Sequence, residues 1–118
     1  MAKFPYTSKD DKAVERGDQI QRARYFQGIR TDAQDIIAES LSDGEVDEDL
    51  MSDLVHQTAD NRVIYTRDCL MILLYSDNWT AIEDAGMDLS SDFTQVICQA
   101  AYFAYQQDLM EMIQAQME

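Results

Sequence analysis

Apolar residues recur at helical spacing along most of this 118-residue chain. Residues 1–11, with Pro5 and a Ser-Lys-Asp-Asp run, read as a loose tail. Val14, Ile20, Ala23 and Phe26 then form a ragged stripe. It predicts a helix over residues 12–26, weakened by Gly17. Thr31 with Gln34 makes a capping-box pattern that opens a second helix carrying Ala33, Ile36, Ile37 and Leu41 on one face, and Asp43-Gly44 stops it. Asp47 is placed to cap a further helix whose inner face is Leu50, Met51, Leu54, Val55 and Ala59. Asp60-Asn61 is turn chemistry, and residues 62–65 are short and β-branched, hence extended or a brief linker. No second segment alternates for long enough to pair with it, so no real sheet is expected.

Thr66 reads as an N-cap, with Asp68 near the start of a helix running through residues 69–75. That run is apolar nearly all round, the pattern of a central buried helix. Ser76-Asp77-Asn78 breaks it, and a short helix over residues 79–85 ends at Gly86 as its C′ residue. Ser90 or Ser91 caps a last helix, with Asp92 in its first turn. That helix runs to about residue 116, roughly 37 Å at 1.5 Å per residue. Phe93, Val96, Ile97, Ala100 and Ala104 make one apolar line on it, and Cys98, Ala101, Tyr105, Leu109, Met112 and Ile113 another. A stripe this wide predicts burial on more than one side, in part across a homodimer interface. Tyr102 and Phe103 cannot both face one core. The pattern predicts an all-α fold: a compact to elongated bundle of about five helices with a long C-terminal helix, in a single domain over residues 1–118.

Charge changes the picture from a generic bundle to one with a constrained partner. There are 23 acids against 9 bases, a net charge of -14. Residues 1–30 hold seven of the bases and four of the acids, a mildly basic arm of +3. Residues 31–118 hold two bases and nineteen acids, an acidic body of -17. Such self-repulsion costs stability and exceeds what solubility requires. It points to a protein partner with a basic surface and argues against direct binding to nucleic acid or to an anionic membrane. Cys69 and Cys98 each sit in an apolar run with no metal-ligand spacing, so free thiols in a reducing compartment are expected. The polar N-terminus shows no signal peptide, and the longest apolar run, residues 70–75, is too short to span a bilayer. A cytoplasmic protein is expected.

Catalytic constellations are missing from the sequence, and neither an enzyme nor a cofactor is expected. The chain has four glycines and none are clustered, so no phosphate loop exists. His56, the one histidine, is not tied to a nucleophile by any motif, and a structural role beside Asp60 or a helix carbonyl is the better reading. The densest feature is five acids in seven residues, Asp43 to Asp49. It lacks the ligand spacing of a calcium loop, so no metal is expected there. The candidate partner-binding residues are the carboxylates Asp43, Glu45, Asp47, Glu48, Asp49, Asp53, Asp60, Glu83, Asp84, Asp88 and Asp92. Rigid helices presenting carboxylates at a density near that of DNA phosphates could enter a DNA-binding groove. Arg62 and Arg67 are expected to pair with nearby carboxylates.

The central stretch resembles the Ocr-type antirestriction proteins of bacteriophages. The resemblance rests on His56-x-x-Ala59-Asp60-Asn61-x-Val63, followed by Tyr65 and Asp68 ahead of an apolar helix. A second segment is also similar: Val96-Ile97, Ala100 or Ala101, then Tyr105-Gln106 and Leu109. Together these cover about residues 50–115. The resemblance implies an elongated all-α dimer that mimics bent B-form DNA and blocks type I restriction-modification enzymes. The chain departs from that pattern in lacking a strongly acidic C-terminal tail and in carrying the basic arm. The expectation is therefore a non-enzymatic DNA-mimic inhibitor of a host DNA-binding defence enzyme. The alternative is an acidic helical protein–protein adaptor, or another phage or plasmid inhibitor of a host defence effector that does not act by DNA mimicry.

Overall fold

A computed structural model describes residues 8–86 and 92–118. Five helices and one small hairpin follow in order: α1 (Ser8–Ser40), β1 (Leu41–Ser42), β2 (Glu45–Val46), α2 (Glu48–Arg62), α3 (Thr66–Tyr75), α4 (Trp79–Gly86) and α5 (Phe93–Met117). The all-α expectation holds, and so does the long C-terminal helix. None of the helices is long and apolar enough to cross a membrane. The molecule measures 59 × 38 × 22 Å. Its radius of gyration, 16.7 Å, exceeds the value of about 13–14 Å for a compact domain of this length.

The first difference from the sequence reading lies in α1. The helix expected over residues 12–26 and the one expected after Thr31 are a single unbroken helix of 33 residues. Residues 8–11, expected in the tail, belong to it, while residues 1–7 lie outside the described residues. Thr31 is no cap: its Oγ1 donates back to the Gln27 carbonyl at 3.1 Å. Packing outweighs the weak local propensity here, because Ile29, Ala33 and Ile36 are all buried in the core. Gly28 therefore carries an avoidable cost. A Cβ added there meets nothing within 4 Å. Gly28→Ala is expected to raise stability by about 0.5–1 kcal/mol, read as a higher urea midpoint with an unchanged m-value.

The second difference concerns which helix is central. It is α5, which packs against each of the other four. Ala100, Ala101 and Ala104 are buried in its middle and let neighbouring backbones approach closely. By contrast α3, expected to be enclosed, buries only Cys69 and Ile72. Leu70, Met71 and Leu74 on its other face are exposed. With ten residues it has room for one inward stripe, and nothing among the described residues covers the rest. Phe93, placed on an apolar line of α5, is also exposed.

Local signals account for most helix ends. Asp47 caps α2, its Oδ1 accepting from Leu50 N at 3.1 Å. Asn78 Oδ1 accepts from Ala81 N at the start of α4, at 3.4 Å. The cap of α5 is Asp92 itself, accepting from Thr94 N at 2.8 Å. Ser90 and Ser91 lie outside the described residues. At α3 the N-cap is Tyr65, with no side-chain bond, and Thr66 is the first helical residue. Arg62 ends α2 instead of opening the linker.

The Asp43-Gly44 stop signal is a hairpin turn. Asp43 at φ 55° and Gly44 at φ 83° are both left-handed, the requirement of a two-residue turn of type I′. Leu41 pairs with Val46 and Ser42 with Glu45. With two residues a strand, this is no more than a clasp between α1 and α2. Cys69 and Cys98 are free, as expected, but not apart: their sulfurs lie 3.5 Å from each other between α3 and α5. Burial, with Cys98 alongside, pushes the Cys69 thiol up to about 11.

Candidate partner-binding surface

The acids fall into two classes by what surrounds them. Asp32 and Asp108 are buried, and each is held by a polar set drawn from distant parts of the chain. Arg62 Nε and Nη2 donate to the Asp32 carboxylate at 2.7–3.1 Å, a bidentate ion pair. The Tyr105 hydroxyl donates to the same carboxylate. Donation to the Asp32 carboxylate holds the Arg62 guanidinium above its ordinary value, and burial raises the Tyr105 phenol. Asp108 Oδ2 accepts from Ser76 Oγ at 2.6 Å and from the Tyr25 hydroxyl at 3.0 Å. The rings of Tyr25 and Tyr105 meet edge to face at 6.1 Å, so the two sets form one polar seam through the core.

Arg62 thus pairs with a carboxylate as expected, though with one on α1, 30 residues away. Among the described residues, Arg67 makes no ion pair. Burial raises the Asp108 carboxyl above its ordinary value, against the lowering effect of its two hydroxyl donors. A carboxyl raised on folding destabilises the fold at neutral pH. That penalty is absent below the unfolded-chain value near 4 and complete above the folded one. Asp108→Asn keeps an acceptor for both hydroxyls and removes the charge. Its Tm is expected to match or exceed the parent's at pH 7, with the difference shrinking as pH falls towards 4. Asp108→Ala strands both hydroxyls and is expected to lose about 1–3 kcal/mol at either pH.

The second class faces water. Asp43, Glu45, Asp47, Glu48, Asp49, Asp53, Asp60, Glu83, Asp84 and Asp92 are all exposed, while Asp88 lies outside the described residues. None of these ten is in an ion pair among the described residues, where Arg22–Asp77 and Arg62–Asp32 are formed. The fold brings them together in groups. The clasp and the first turns of α2 gather Asp43, Glu45, Asp47, Glu48, Asp49 and Asp53 near the C-terminal end of α5, where Glu48 shares a cavity wall with Gln114 and Met117. Asp60 stands further along α2, close enough to Tyr102 that its charge helps raise that phenol, after burial. Asp84 borders a cavity of about 410 Å³ with Gln99, Phe103 and Gln107 of α5. Asp92 opens α5. The carboxylates are therefore stationed along the roughly 37 Å of that helix. Two of them, Asp47 and Asp92, also cap helices, a task that partner binding does not need.

His56 corrects the sequence reading. It lies in the middle of α2, and its Nδ1 shares a 2.6 Å hydrogen bond with the Tyr102 hydroxyl of α5. The rings stack at 6.3 Å. Asp60 and a helix carbonyl are not its partners; the bond pins α2 to α5. Among the described residues, no group of three or more His, Cys, Asp or Glu side chains could hold a metal ion.

No family model, no curated protein and no solved structure matches this chain.

Proposed function

We propose that the chain is a non-enzymatic inhibitor that presents its acidic surface in place of DNA to a host DNA-binding defence enzyme, such as a type I restriction-modification system. The reading rests on one observation: every described candidate carboxylate is exposed and outside the ion pairs, while the buried acids are consumed by the core. Charge left unpaired at this density is costly to the fold and suits a partner with a basic surface. The resemblance of residues 50–115 to Ocr-type proteins points the same way. On this reading the place of action is the host cytoplasm. The experiment is inhibition of DNA binding by a type I restriction enzyme. Inhibition is expected to be competitive with DNA and to fade steeply between 50 and 500 mM salt. Inhibition that is insensitive to salt and leaves DNA binding intact overturns the reading in favour of an adaptor.

A homodimer belongs to the same proposal. Ile64, Tyr65, Leu70, Met71 and Leu74 form an exposed apolar face on and beside α3, with Leu74 at 64 % exposure. A face of this kind on a small protein marks an association surface. The double change Leu70→Asp and Leu74→Asp is expected to convert a dimer to a monomer in light scattering without lowering helix content.

A further inference from the structure

A groove of about 550 Å³ runs between α2 and the C-terminal half of α5. Its floor is apolar: Met51 and Val55 from α2, Met110, Ile113 and Met117 from α5. Nothing in the described chain covers it, and Met110 and Met117 remain 43 % and 50 % exposed. Methionine is the apolar side chain best able to reshape itself around a partner. The rim has the opposite character. Glu48 lines it, and no cation does. Ser52, His56, Gln106 and Gln114 also line it, and the exposed acids Asp49 and Asp53 of α2 and Glu111 and Glu118 of α5 lie outside the lining on the same two helices.

We propose that this groove docks a basic amphipathic helix of a protein partner, with apolar anchors on the methionine floor and Lys or Arg against the carboxylate rim. The argument is complementarity of two kinds at once. An anionic lipid or acidic peptide meets the rim as a like charge, and a small apolar ligand leaves the rim unused. A helix with apolar residues on one face and cations along its flanks satisfies both. The groove extends from Gln106 to Met117, roughly 17 Å of helix, which suits a partner of about three turns. The inference goes beyond charge mimicry and does not depend on it. Charge alone gives binding that salt erases, whereas an apolar floor leaves a component that salt spares.

The test uses the full chain with 13C-methyl-labelled methionine and two synthetic 18-residue peptides. One is a Lys/Leu helix with all its leucines on one face; the other has the same composition permuted so that no face forms. The amphipathic peptide is expected to shift the methyl signals of Met51, Met110 and Met117, leave that of Met71 on α3 in place, and still do so at 500 mM salt. Met110→Lys, a change at an exposed position, is expected to weaken that peptide at least tenfold. Equal shifts from the permuted peptide, a response at Met71 instead, or no groove response up to 1 mM peptide overturns the proposal. The enzyme-inhibition experiment reads the DNA-mimic function separately, so either can fail alone.

Discussion

Converting Asp43, Glu45, Glu48, Asp49 and Asp53 together to their amides is expected to weaken binding to the proposed DNA-binding target about 60- to 4,000-fold. The size follows from about 0.5–1 kcal/mol for each exposed carboxylate facing a basic partner, where tenfold is about 1.4 kcal/mol. All five are exposed and outside the ion pairs among the described residues, so their loss leaves the fold intact or slightly relieved of self-repulsion. Asn suits position 43 in particular, because it tolerates the left-handed backbone there. Asp47 is left alone, since its carboxylate caps α2. Affinity measured at 50 and 200 mM salt is expected to differ less for the variant than for the parent. A variant that binds as tightly as the parent places the contact elsewhere on the molecule.

Arg62→Ala is expected to have the largest effect on stability, a loss of about 2–4 kcal/mol. It strands the buried Asp32 carboxylate with Tyr105 as its remaining donor. The figure lies at the low end of what breaking a buried pair costs, because the Arg62 side chain is 52 % exposed and water can partly replace it. Arg62→Lys restores a charge without the two-pronged geometry and is expected to recover only part of the loss. Replacing both Asp32 and Arg62 by leucine is expected to cost less than Arg62→Ala, apart from the bond lost by Tyr105. Urea unfolding followed by circular dichroism measures all three.

These two effects were unequally visible in the sequence. Charge and turn chemistry alone place the exposed carboxylates, and position marks the Asp47 cap. The polar seam is hidden in the sequence, because its partners are 30, 73 and 83 residues apart and no local pattern joins them. A signal existed nonetheless. Asp32 falls on the line of Ile29, Ala33 and Ile36, and Asp108 on the line of Ala101, Tyr105 and Met112. An acid interrupting an apolar helical stripe is a candidate for burial with a donor. The unbroken α1 is hidden for another reason: the Thr31–Gln34 pattern is a local start signal, and tertiary burial of Ile29 and Ala33 overrides it.

The continuity of α1 settles how a basic arm and an acidic body coexist in one small protein. Arg16 and Arg30 stand about 36 Å and about 15 Å from Ser40 along the helix axis, both beyond the screening length of about 8 Å at physiological salt. The arm's charge therefore does not cancel the clasp's. The helix's own dipole runs in the same sense, positive at the arm and negative toward the clasp. α1 is in effect a rod with a cathode-seeking end at the arm and an anode-seeking end at the clasp. Approaching a basic surface, it is turned clasp-first before any contact forms.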